Sequence, residues 1–94
     1  MSQFFTSIEL NGEPADEHRR ALHNVMCFIG FERDVKGDDG IPQRLPSGLY
    51  VCESDSELAD VSDAIRAAVG GVWHDIGILT VQGKAAWTGL NRVF

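Results

Sequence analysis

Cysteine is scarce in this chain. Only Cys27 and Cys52 occur, and they form no CxxC pair. Two buried free thiols in a reducing compartment are a simpler reading than a disulfide, although a pairing of the two stays open. Long apolar runs are also missing. None reaches the ~18 residues of a membrane span, and no charged-then-apolar leader precedes the first strand signal. The expected location is therefore the cytoplasm, with no membrane partner. Basic charge is the third shortage: 8 Lys and Arg against 14 Asp and Glu give a net charge of −6. A nonspecific nucleic-acid binder needs a basic footprint, which this balance argues against. A local basic patch remains compatible with it, and a basic protein partner suits it.

At 94 residues the chain is one domain near the lower limit for a single core. Such a chain buries only about 60–65% of its unfolded surface, so self-association that hides an edge strand would help it.

What is present reads as alternating strands and helices. Gln3 to Leu10 alternates, with Phe4, Thr6, Ile8 and Leu10 on one face and Phe5, Ser7 and Glu9 on the other. Asn11-Gly12 is turn chemistry. Pro14 fits a first helical turn, and Ala15, His18, Leu22, Val25, Met26 and Ile29 form one helical stripe, so a helix is expected over 14–29. Phe31 to Val35 reads as a second strand and Leu49 to Glu53 as a third. Ser54 and Glu57 match a capping box, with Ser54 as N-cap. Leu58, Val61, Ile65, Ala68 and Val69 repeat the spacing of the first helix, and Gly70-Gly71 ends it. Val72 to Gln82 is the longest strand signal. Both of its faces are mostly apolar, as expected of a strand with partners on both sides.

Between the second and third strands the chain is punctuated. Three glycines and two prolines fall between Gly37 and Gly48. That density excludes a helix and reads as a β-hairpin with an elaborated connection. The order β-α-β-β-α-β predicts an α+β, ferredoxin-like fold: a four-stranded antiparallel sheet with two helices on one face. The core would span about 3–82. The other sheet face would be left for solvent, a ligand or a second subunit. The tail, 83–94, carries Trp87, Leu90, Val93 and Phe94, too many large apolar groups for a disordered segment. It is expected to dock on its own fold or on another copy.

The hairpin also carries a resemblance. Asp-Asp-Gly-Ile-Pro-Gln-Arg-Leu, Asp38 to Leu45, resembles the acidic-x-Gly-Ile-Pro-Arg-Gln-Leu segment of the GhoS antitoxin family. Asp-Ile-Gly-Ile-Leu-Thr-Val, Asp75 to Val81, is similar to that family's Asp-Leu-Asn-Ile-Met-Thr-Val. The resemblance runs over about residues 5–87, and its specific part is Gly40-Ile41-Pro42 with Leu45 and Ile78 to Val81. It implies a ferredoxin-like fold close to that of small CRISPR-associated nucleases, and an RNA-cleaving antitoxin that acts on a toxin's messenger. Two departures stand out. His23 falls where the family has an arginine, and the Arg-Gln order after the proline is inverted here to Gln43-Arg44.

An RNase that uses the RNA 2′-hydroxyl as nucleophile needs a base, an acid and a cation near the scissile phosphate. Arg20 and His23 are the candidate catalytic residues, for phosphate contact and proton transfer. Arg19, four residues from His23 on the same helix face, joins Arg33 and Arg44 as candidate RNA-binding residues. Tyr50 is a candidate base contact. The plainer alternative for the helix residues is a solvated face with charge pairs. His74 beside Asp75 reads equally as a strand-entry turn. Asp34, Asp38 and Asp39 are hard ligands in type, but Asp-Asp-Gly is ordinary turn chemistry; no metal and no cofactor is expected. Two further readings compete with the RNA-binding enzyme. One is a non-catalytic acidic protein, phage- or mobile-element-encoded, that docks on a basic nucleic-acid-binding partner such as a CRISPR effector. The other is a homodimerisation module that uses an edge strand or the tail.

Overall fold

The alternating N-terminal segment becomes the central strand. The computed structural model describes residues 1–37, 39–91 and 93. Its elements run β1 (Ser2–Leu10), α1 (Asp16–Phe28), β2 (Asp34–Lys36), β3 (Pro42–Arg44), β4 (Leu49–Ser54), α2 (Leu58–Val69) and β5 (Ile76–Gln82). The fold is α+β, with two helices and antiparallel strand pairs. β1 pairs with β4 on one side, Thr6 opposite Tyr50, and with β5 on the other, Thr6 opposite Thr80.

The expected four-stranded sheet does not form. The main sheet has three strands in the order β4-β1-β5, and β2 and β3 make a separate two-stranded hairpin. The predicted second strand, Phe31 to Val35, meets β4 at one residue. Glu32 and Val51 exchange both backbone hydrogen bonds at 2.8 Å. From there the chain turns away to pair with Pro42–Arg44, Asp34 facing Arg44 and Val35 facing Gln43. The driving force is Val35, which is buried with Phe5, Leu45 and Val51 on the sheet face away from the helices. A strand kept alongside β4 would leave that face uncovered.

The position of the longest strand is corrected as well. β5 begins at Ile76, not Val72, and it is an edge strand. Its double apolar character does not mark a central place: Leu79 and Val81 are exposed. β1 holds the centre. The C-terminal tail docks on its own fold. Trp87 and Leu90 pack against the Phe5 cluster, and the backbone of Asn91 and Val93 bonds to Arg44 and Pro42 of β3. The Phe5 and Val51 part of the sheet face expected to lie free is thereby covered, while Leu79 and Val81 stay exposed.

The helices cover the other face. Phe4, Ile8 and Tyr50 from the sheet meet Leu22 and Met26 of α1 and Val61, Ile65 and Val69 of α2. These are the positions of the two helical stripes. Each such side chain contributes about 1.5–3 kcal/mol by leaving water. Thr6, the one fully buried polar residue of β1, directs its hydroxyl to Thr80 Oγ1 at 2.8 Å.

The helix starts differ from expectation. α1 starts at Asp16, two residues after Pro14, and the Ala15 N–H donates to His18 Nδ1 at 3.0 Å. α2 has Glu57 as its N-cap. Ser54 does not cap the helix; its Oγ accepts from the Ser56 N–H and closes a local turn before it. No helix among the described residues is long and apolar enough to cross a membrane.

Candidate functional site

Two adjoining depressions open where α1, the start of β2 and the β3–β4 turn meet. One is lined by His23, Cys27, Phe31, Arg33 and Arg44, together with the acidic Glu32 and Asp34. Its neighbour shares His23 and Arg33 and adds Arg19 and Tyr50. Helical periodicity brings His23 and Cys27 to one edge, since they are four apart. The Glu32–Val51 bridge fixes the chain just before Arg33. The Leu45 N–H donates to the Arg33 carbonyl at 2.7 Å, which holds the return strand against it.

The turn that closes the site depends on a glycine. The Leu49 N–H donates to the Pro46 carbonyl at 3.0 Å, and Gly48 sits at φ +84°. That is the third position of a type II turn. The Gly48 carbonyl accepts from the Ile8 N–H at 2.8 Å, tying the turn to β1.

His23 lies above Tyr50, with ring centroids 6.3 Å apart and planes 24° from parallel. Burial holds the His23 pKa below the usual imidazole value. The charges of Arg33 and Arg44 push it the same way, against a smaller opposing pull from Asp34. The ring is therefore neutral at pH 7 and can accept a proton. Cys27 Sγ is 3.6 Å from His23 Nε2 and 3.7 Å from Nδ1. The near-equal distances put the sulfur alongside the ring, not on the lone pair of either nitrogen. Burial raises the Tyr50 pKa, so its hydroxyl stays protonated at neutral pH.

The arginines differ in what holds them. Arg44 Nε bonds to Asp34 Oδ1 across the β2–β3 ladder. Arg33 Nε is buried and has no hydrogen-bond partner among the described residues. Arg19 donates to the Pro14 carbonyl at 3.1 Å and lies 3.7 Å from Asp16. Arg20 is exposed and lines neither depression, although it lies one turn before His23. The structure thus gathers His23, Arg33 and Arg44, places Arg19 at the margin, and leaves Arg20 outside.

The remaining candidates have structural employment. His18 packs edge-on against Trp73, with centroids 4.6 Å apart. Trp73 Nε1 donates to the Asn11 carbonyl at 2.7 Å, locking the turn after β1 to the entry of β5. His74 is exposed and tilted over the Trp73 ring. Asp39 Oδ1 accepts from the Ile41 N–H at 3.0 Å, an Asx turn within the hairpin connection. Asp38 lies outside the described residues. Sequence reasoning missed that Cys27 lies beside His23 and that Asp34 pairs with Arg44. The first was available from its i+4 spacing to His23. The second follows only once the hairpin register sets Asp34 opposite Arg44.

No protein-family model and no curated protein matches the chain.

Proposed function

We propose that the chain is a GhoS-like endoribonuclease-type antitoxin, cleaving single-stranded RNA of a toxin messenger in the cytoplasm at the His23 depression. The observation that carries this reading is the convergence of the His23 imidazole with the Arg33 and Arg44 guanidinium groups in one depression of a protein of net charge −6. A guanidinium group is a fitting partner for the oxygens of a phosphate. The β4-β1-β5 order beneath two helices supports reading the fold as ferredoxin-like, with the β2–β3 hairpin replacing the outer strand.

In this mechanism His23 accepts the proton of the RNA 2′-hydroxyl. The 2′-oxygen forms a bond to phosphorus and the bond to the 5′-oxygen breaks, leaving a 2′,3′-cyclic phosphate. Water protonates the departing 5′-oxygen on the opposite side of phosphorus, and the imidazolium gives up its proton to solvent. Arg33 and Arg44 stabilise the charge that builds on the phosphoryl oxygens. Arg19 and Arg20 guide the flanking backbone. The Tyr50 hydroxyl donates to a base or a phosphate oxygen.

The test is incubation of the pure protein with end-labelled RNA in EDTA. The expected result is cleavage to a cyclic-phosphate end. It is lost in His23→Ala and absent on a substrate whose scissile nucleotide lacks the 2′-hydroxyl. An intact RNA after prolonged incubation overturns the enzyme reading.

A second reading is favoured by the charge of −6 together with Phe28, which is 91% exposed on α1. Here the chain is a non-catalytic acidic protein docked on a basic, nucleic-acid-binding partner. Salt-sensitive capture of one such partner, weakened by Phe28→Ser, supports it. Unaltered capture by that variant removes the role of Phe28.

A further inference from the structure

We propose that a second copy of this chain pairs along the free edge of β5, antiparallel and about a two-fold axis through Leu79. The two three-stranded sheets then become one continuous six-stranded sheet.

The argument starts from which backbone groups are already used. The Asn11 N–H donates to the Asp75 carbonyl and the Gly83 N–H donates to the Gln3 carbonyl. Odd-numbered positions of this segment therefore turn their hydrogen-bonding groups toward β1. By the alternation of an antiparallel ladder, Ile76, Ile78, Thr80 and Gln82 turn theirs outward. Among the described residues nothing pairs with that side, because β5 ends the sheet order. Natural edges are normally blunted with lysine, proline or a bulge. Here Ile76–Gln82 contains no charge and no proline, and its pairing with β1 is continuous from Ile76 to Gln82.

The register follows from the same geometry. Pairing Ile76 with Gln82 and Ile78 with Thr80 uses every outward amide and carbonyl of both copies. A shift of two residues in either direction leaves some unused. This register sets Leu79 against Leu79 at the axis, a pair whose Cα atoms lie close together because they are not hydrogen-bonded to each other. It also sets Val81 against Gly77, a branched side chain over a residue with none. Leu79 is 66% exposed and Val81 50% exposed, both on the sheet face away from the helices, so each gains cover. At both ends Asp75 of one copy lies opposite Gly83 and beside Lys84 of the other, a charge match between copies that otherwise repel. The interface is isologous and closed. It does not rest on the ribonuclease reading, since β5 lies across β1 from β4, which carries Tyr50 beneath His23.

The test uses the full chain in two arms. Sedimentation equilibrium should show a monomer–dimer equilibrium. Leu79→Lys, placing two like charges in apposition at the axis, should weaken it roughly tenfold or more. Phe28→Lys, at a still more exposed apolar site elsewhere, should leave it unchanged. In the second arm, in a Cys27→Ser background, Leu79→Cys should form a disulfide-linked dimer under mild oxidation. Val81→Cys should not, because its two copies stand more than ~10 Å apart along the strands. A chain that sediments as a monomer up to millimolar concentration overturns the proposal. So does an unchanged dissociation constant for Leu79→Lys, or equal cross-linking at positions 79 and 81.

Discussion

The His23 imidazole lies over the Tyr50 ring at 6.3 Å, and it shares a depression with the Arg33 and Arg44 side chains. An imidazole held between an aromatic face and two guanidinium groups resists gaining a proton. Its burial and the two positive charges act in the same direction.

The first prediction concerns that proton. An NMR titration should place the His23 midpoint below the usual 6.5. Arg33→Gln should raise it part of the way back, because burial, the larger cause, remains. If His23 is the base, kcat/KM rises with pH through the same midpoint, and the limb moves upward in the variant. The linkage has one sign. The unfolded chain binds the proton more readily, so stability is full above pH ~6.5 and declines as pH falls through the lowered midpoint. His23→Gln should flatten that decline. A wild-type midpoint at or above 6.5 contradicts the electrostatic account of the site.

Arg44 carries the second prediction. Its partner is Asp34, and the two side chains are 41% and 36% exposed. Solvent screening holds the value of such a pair to about 1 kcal/mol or less. Arg44→Ala should therefore cost little in urea unfolding. If Arg44 contacts phosphate, RNA binding should become less salt-dependent, with the slope of log K against log salt falling by about 0.7 for a single strand. Asp34→Ala should preserve the slope, since it removes no cation. Equal slopes for wild type and Arg44→Ala would remove Arg44 from the interface.

Both helices and the inward face of β1 were legible because their signals are local. Leu22 and Met26, and Val61, Ile65 and Val69, fall on stripes that only a helix can make continuous. The outer strand was not legible. Phe31 to Val35 has strand alternation wherever it pairs, and its departure from β4 after Glu32 depends on Val35 reaching Phe5 and Val51. Those contacts lie far apart in sequence. Leu79 and Val81 misled for a related reason: apolar residues on both faces of a strand fit a central place or an uncovered edge equally well. At the site, His23, Arg33 and Arg44 were nameable from residue type. The separation of Arg20 from them depends on the α1 rotation and on the hairpin path, and neither is a local property.

Two glycines give a third prediction, by contrast. A Cβ at Gly48 would lie 2.8 Å from the Ile8 carbonyl oxygen, and its φ is +84°. A Cβ at Gly30 meets nothing within 4 Å, at φ +96°. Gly30→Ala should thus cost the conformational strain alone, on the order of 1 kcal/mol. Gly48→Ala adds a clash with backbone that cannot yield without shifting the turn, and should cost about 2–4 kcal/mol. It should also disturb the His23 and Tyr50 resonances, because the turn borders their depression. Equal losses in denaturant unfolding would mean that the β3–β4 turn relaxes freely.

The tail supplies the last prediction. Trp87 and Leu90 cover Phe5, Val35, Leu45 and Val51, and the Arg44 N–H donates to the Asn91 carbonyl at 2.8 Å. Among the described residues the hairpin meets the backbone of the main sheet through one bridge, so the tail adds to the packing of Val35 and Leu45 in bracing it. Trp87→Ala should cost about 2 kcal/mol, below the 3–5 typical of a fully buried aromatic, because Trp87 is only half-buried. Deleting 85–94 should do more than lower stability. It removes the acceptor of the Arg44 amide and uncovers the Phe5 cluster, while the helix-side core keeps its contacts. Amide exchange should then accelerate at Val35, Gln43 and Arg44 and stay slow at Phe4, Thr6 and Ile8. Since Arg33 and Arg44 depend on the hairpin path, RNA binding should weaken in the same variant. Uniform acceleration across β1 and the hairpin would show that the two cores unfold as one unit.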